Sequence, residues 1–282
     1  MRGTSDIRRA EGLDRRRHCA SLGALAFICW AVAIVCHPSA ARADLIGINF
    51  LGLGTKSGTV YVRPLKPTEW AGAPGVRQAN WNNAEGSSGS GVALHDDAGD
   101  LTGASVTWTY AGKSYTAVSD DTGDGCLMRG YIHRFANLIP PEITVSGLGA
   151  PFTVHGYSVI IYFDGENANN VIYQDWVTEY VLAVTGSPAG SVFGKDAGWS
   201  SFDGTFVQAT GASAADATAG NYVQFTGLTT SSITLTATPV SGDGPINAIQ
   251  IISVPEPASL ALLVLGAVAA LAARTKQSRF RR

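Results

Sequence analysis

Cysteine is almost missing from the part of this chain that can fold. Of four cysteines in 282 residues, Cys19, Cys29 and Cys36 lie in an amino-terminal apolar stretch, which leaves Cys126 alone. No intramolecular disulfide can form in the body, so its stability has to come from packing. Cys126, beside Leu127 and Met128 in GDGCLMRGY, reads as a small buried side chain and not as a nucleophile. Basic side chains are scarce as well: Asp44 to Val254 holds eight Lys and Arg against eighteen Asp and Glu, a net charge of −10. The whole-chain charge of −2 hides this, because the basic residues gather at the two ends. An acidic body with no basic stripe excludes nucleic acid as a partner. Solubility outside the cell, or weak cation binding, accounts for the acidity.

Catalytic patterns are equally scarce. His95, His133 and His155 form no HExxH motif and no close pair, and no Gly-x-Ser-x-Gly surrounds any serine. Eighteen carboxylates allow pairs suited to glycoside hydrolysis, but no pair stands out. The body is therefore read as not an enzyme, and no cofactor is expected.

What the chain does have is concentrated at its ends. Arg2, Arg8, Arg9, Arg15, Arg16 and Arg17 precede the apolar run CASLGALAFICWAVAIVC, and HPSAARA then closes on the small residues Ala41 and Ala43. This is the pattern of a secretory signal cut by signal peptidase after Ala43. An uncleaved anchor is the competing reading, and the Ala-x-Ala site argues against it. The arginine pairs also admit twin-arginine export, although no convincing motif surrounds them.

At the other end, Pro255, Glu256 and Pro257 stand before ASLALLVLGAVAALAA, which is apolar on every side of a helical wheel. A helix over 258–273 would span roughly 24 Å, short of a hydrocarbon core near 30 Å, so Arg274 and Lys276 would snorkel. Arg274, Lys276, Arg279, Arg281 and Arg282 belong on the cytoplasmic side, which turns the body outward.

The Pro-Glu-Pro triplet, single span and basic cluster, on a chain with a signal peptide, resemble the PEP-CTERM sorting signal of Gram-negative envelope proteins. The resemblance implies that an exosortase recognises Pro255, Glu256 and Pro257, that this chain is its substrate, and that the product is associated with exopolysaccharide or biofilm. Two prolines keep the triplet extended, where a processing enzyme can grip it. The expected organisation is a signal peptide at 1–43, an extracytoplasmic domain at 44–253 and a sorting signal at 254–282. The protein is expected in the envelope or extracellular matrix, held transiently or stably by its carboxyl-terminal helix.

Short apolar or alternating runs between turn residues predict about ten strands: LIGINF, TVYV, ASVTWTY, EITVSGL, GYSVIIYFDG, VTEYVLAVTG, GTFVQAT, NYVQFTGL, SITLTATP and INAIQIIS. A turn or two of helix is expected near Cys126 to His133, and EGSSGSG at 85–91 reads as a surface loop. The class is all-β, an antiparallel sandwich of jelly-roll type. IGINF, NWNN, YSVIIYFDG, GNYVQFTGL, SSITLTATP and PINAIQII, in that order, resemble the galactose-binding-like jelly rolls of secreted bacterial proteins. That resemblance implies a carbohydrate-binding module, with matrix polysaccharide as the partner, as an alternative to a displayed protein without a ligand.

Candidate contacts follow from residue type. Trp81 and Trp199 lie in polar or glycine-rich surroundings and are the indoles suited to stack on sugar rings, whereas Trp108 sits within a strand and reads as core. Asp120, Asp121, Asp124 and Gly125 partly match the start of a calcium loop, but Thr122 and Tyr131 depart from it. A metal-free Asp-Gly turn is the favoured reading. Should calcium bind, Asp120 and Asp124 are its candidates.

Overall fold

The protein was described from a computed structural model that covers residues 43–52, 55–56, 59–60, 62–109, 111–116, 118, 120–134, 139–166, 174–184, 187–198 and 201–255. The expected signal helix, the expected transmembrane helix at 258–273 and the basic tail lie outside the described residues. Among those residues, no helix is long and apolar enough to cross a membrane. Residues 43–255 make one compact unit.

Among the described residues, sixteen strands and two short helices follow one another. The strands are β1 (Leu45–Phe50), β2 (Thr55–Lys56), β3 (Thr59–Val60), β4 (Asn82–Ala84), β5 (Gly89–His95), β6 (Leu101–Thr109), β7 (Ala111–Tyr115) and β8 (Gly130–Arg134). They continue with β9 (Glu142–Ser146), β10 (Tyr157–Tyr162), β11 (Trp176–Val184), β12 (Ser187–Asp196), β13 (Thr218–Ala219), β14 (Tyr222–Leu228), β15 (Ser232–Pro239) and β16 (Ala248–Ser253). Helix α1 is Gly123–Arg129 and α2 is Ala150–Thr153.

Two sheets form a sandwich. One runs β14-β10-β16-β1-β4 and the other β13-β12-β11-β15-β9-β6-β5; β2–β3 and β7–β8 are separate two-stranded sheets. Pairing is antiparallel except for β1 with β4 and β12 with β13. Side chains alternate inward as the period-2 pattern requires: Tyr180 and Leu182 from β11, Ile233 and Leu235 from β15, and Val106 and Trp108 from β6 meet Ile46, Ile48, Val159 and Ile161 of the facing sheet.

The continuous run in β10 has a different cause. Val159 and Ile161 enter the main core, while Ile160 and Tyr162 point the other way into a second apolar cluster with Trp81, Leu127, Met128 and Phe202. The outer side of the five-stranded sheet is thus covered by the 62–81 segment, α1 and the 201–206 segment. Tyr162 fastens this cover: its hydroxyl donates to Gln250 Oε1 at 2.7 Å and accepts from the Ala73 N–H at 2.9 Å.

Several sequence expectations need correction. The helix starts earlier than expected, at Gly123, with Thr122 as its cap accepting from Gly125 N, and residues 130–134 form a strand instead. EGSSGSG is not wholly a loop, because Gly89 opens β5. A side chain there would strike the Trp108 ring, with the Cβ only 2.2 Å away. GTFVQAT is no strand; it contributes one isolated bridge, Gln208 with Tyr222, and turns Phe206 onto Tyr162.

Both chain ends of the compact unit lie at one end of the sandwich. Leu45 pairs with Ile252, and Tyr157 with both Ser253 and Leu228. The Asp96–Asp100 turn between β5 and β6 reaches the same end, where Asp97 N–H donates to Leu45 O at 3.0 Å.

Candidate functional site

A cavity of about 260 Å³ opens at the opposite end of the sandwich. β10 runs from the chain-end side to Tyr162, and the residues just beyond it, Phe163 and Asp164, carry the chain to the cavity. Asp196, the last residue of β12, lies opposite Trp176 in the β11–β12 register. These two strand ends bring Asp164 and Asp196 together, with exposures of 3% and 4%. Ser201, Thr205 and Asn221 add polar groups to the wall, and Phe202 adds an apolar one.

Close packing fixes the pair. Gly165 N–H donates to Asp196 Oδ2 at 2.8 Å, and Phe202 N–H donates to Asp164 Oδ2 at 3.1 Å. The Asp164 N–H donates to Asn247 Oδ1, whose amide nitrogen donates in turn to the carbonyls of Met128 and Gly130. Trp176 fills the space behind: a Cβ at Gly165 would lie 2.4 Å from its ring, and one at Gly242 2.1 Å. Gly242 also has φ +73°, a conformation that favours glycine.

Electrostatics follow from this burial. Desolvation, then the neighbouring Asp196, raises the pKa of Asp164 well above the ordinary carboxylate range, while Phe202 N–H and the Thr116 hydroxyl oppose the shift. Two neighbouring carboxylates so dry do not both ionise at low cost, so Asp164 holds a proton more tightly than a free carboxylate does. Among the described residues the cavity is lined with three aspartates, counting Asp203, and no Lys, Arg or His. Anions are disfavoured there; hydroxyl donors and ammonium groups fit.

The residues expected from sequence have other positions. Trp81 is 4% exposed, packs edge-on against Tyr162 and donates its indole N–H to Gln78 O, so it presents no face to a sugar. Trp199 lies outside the described residues. Among the described residues the exposed indole is Trp70, at 54%, in the covering segment. Trp108 is core, as expected.

Asp120 and Asp124 each have partners of their own. Asp120 accepts from the N–H and hydroxyl of Thr122, which lower its pKa. Asp124 accepts from Gly72 N–H at 3.0 Å and pairs with Arg77 at 2.8 Å. The acidic loop thus forms a helix start bound to the covering segment. Among the described residues no group of three or more His, Cys, Asp or Glu side chains is placed to hold a metal. Cys126 is buried, and desolvation raises its pKa, as suits an unreactive thiol.

At the carboxyl end, Ser253 closes β16, and Val254 N–H donates to Gly156 O at 2.9 Å. Pro255 is the last described residue; Glu256, Pro257 and the five basic residues from Arg274 to Arg282 lie outside, as does Ala41.

Comparisons with known proteins add to this geometry. No curated protein matches the chain. Among solved structures it is similar to the native structure of a family 35 carbohydrate binding module from Clostridium thermocellum. The identity is 13%, the alignment covers 53% of this chain and 92% of that one, and the TM-score is 0.29. Residues 253–277 match the PEP-CTERM protein-sorting motif. The chain therefore carries the sorting motif of exported proteins that an exosortase processes, joined directly to the last strand of a β-sandwich.

Proposed function

We propose that this is a non-catalytic envelope or matrix protein whose sandwich, displayed after sorting, takes a polyhydroxylated ligand such as a surface or matrix glycan in the Asp164–Asp196 cavity. One observation carries the reading: the chain leaves the sandwich toward the sorting signal at one end, and the cavity opens at the other. A domain tethered at one end has its opposite end free to meet large molecules. The chemistry supports hydroxyl recognition, since carboxylates accept two hydroxyl donors each and Phe202 supplies apolar contact. Internal amide donors already hold both carboxylates, which favours positioning over proton transfer in a reaction.

Two measurements test this. The full chain on a glycan array, beside its Asp164→Asn variant, is expected to bind a neutral or amino-sugar glycan that the variant binds at least tenfold more weakly. Release of reducing ends from a bound glycan would turn the reading to a glycosidase. For the sorting half, top-down mass spectrometry of protein from its native cells is expected to show a carboxyl terminus near residue 257. Changing Pro255, Glu256 and Pro257 to alanine is expected to keep the tail to Arg282.

A further inference from the structure

The end of the sandwich where the chain leaves carries its own surface. Val154 is 65% exposed at the end of α2, and Val254, 46% exposed, donates its N–H to the carbonyl of Gly156, two positions after Val154. Ala150 and Pro151 continue the exposed stretch, and no Asp, Glu, Lys or Arg occurs from Ile143 to Phe163. Leu101, 67% exposed, stands at the base of the Asp96–Asp100 turn that touches Leu45. The carboxylates at this end are Asp44, Asp96 and Asp100; against them stand the exposed His155, next to Val154, and the α-ammonium that cleavage after Ala43 would give Asp44, which leaves the rim acidic on balance.

The far end exposes Ile139, Val207 and Val240, so apolar content alone does not distinguish the two ends. Chain connectivity does. Three residues, 255–257, separate Val254 from the uncharged apolar run that starts at Ala258. Even fully extended they reach about 10 Å. With a tether that short, the second contact is intramolecular and its effective concentration is on the order of millimolar, so a patch too weak to bind alone is held in place.

We infer that, before the sorting cut, the Val154–Val254 end of the sandwich rests on the lipid headgroups of a zwitterionic bilayer. The inference depends on reading 258–273 as a membrane span. Valine and leucine side chains insert among the headgroups, and the acidic rim faces the outward ammonium groups of phosphatidylcholine or phosphatidylethanolamine. An anionic surface repels that rim. Cutting the tether removes the effective concentration and frees the end.

The test uses the full chain in phosphatidylcholine nanodiscs, with an environment-sensitive fluorescent amino acid at position 154 or, as control, at position 207. Headgroup nitroxide lipids are expected to quench position 154 at least twofold more than position 207, and the difference is expected to shrink in discs half composed of phosphatidylglycerol at low salt. Equal quenching at both positions overturns the inference while leaving the span intact. Failure of the chain to co-purify with the discs removes the span and the inference together. Protection of position 154 only on adding exosortase would mean that the enzyme, not lipid, covers this end.

Discussion

Asp44 and Ser253 are bonded to each other twice, although 209 positions separate them: Asp44 N–H donates to Ser253 Oγ at 2.7 Å, and Ser253 N–H donates to Asp44 O at 3.0 Å. The first residue expected after signal cleavage therefore locks against the last residue of β16, two positions before Pro255. Ser253→Ala removes the side-chain acceptor and is expected to lower stability by about 0.5–1.5 kcal/mol, read from urea unfolding. Because the other bond remains, a change in secondary structure by circular dichroism is not expected.

The Asp164–Asp196 pair predicts a pH dependence whose sign can be worked out. Asp164 binds its proton more tightly in the native state than in the unfolded chain. Its stabilising contribution is therefore complete below the unfolded value near 3.8 and is lost as pH rises toward the native one, at ~1.4 kcal/mol per pH unit within that window. Asp164→Asn cannot ionise, so the stability of the variant minus that of the natural chain is expected to increase with pH above 4. A flat difference from pH 4 to 8 would contradict the buried pair.

Gly165→Ala places a methyl group 2.4 Å from the Trp176 ring. Overpacking of this kind costs about 1–3 kcal/mol and should displace the indole. Differential scanning calorimetry and tryptophan emission are expected to change together. An unaltered spectrum with full stability would show that the turn can move away.

Tyr162→Phe deletes one hydroxyl that serves two buried partners, Gln250 Oε1 and Ala73 N–H. Leaving them without it is expected to cost about 2–4 kcal/mol in total. Hydrogen exchange should rise first in the 71–78 segment, because the lost bonds join the cover to the sheet and not the two sheets to each other.

Legibility in the sequence differed by kind of signal. β15 and β16 were readable because apolar residues alternate cleanly, and β10 because an unbroken apolar run marks burial on both sides. β12, SPAGSVFGKD, was not expected, since glycine, proline and serine mask its period. β5 was missed for the same reason, and its Gly89 is required by a tryptophan nineteen positions later. The sorting signal is linear and could be read directly. Asp164 and Asp196 each look like ordinary turn residues at the end of a run, and only the β11–β12 register and the Gly165 contact join them. Trp81 misled because the polar neighbours Asn80, Asn82 and Asn83 suggest exposure, whereas their amides bond to backbone carbonyls around it.

β16 is the middle strand of the five-stranded sheet, with β1 and β10 on its flanks, and it is also the last segment of the body to be made. Until residues 248–253 are available, β1 and β10 have no common neighbour, and Gln250 is not there to receive Tyr162. A body lacking its last six residues thus lacks the centre of this sheet whatever else it has formed. On a route that threads the chain unfolded, closure of the sandwich therefore waits for the last strand to cross, and Pro255 follows that strand by two positions.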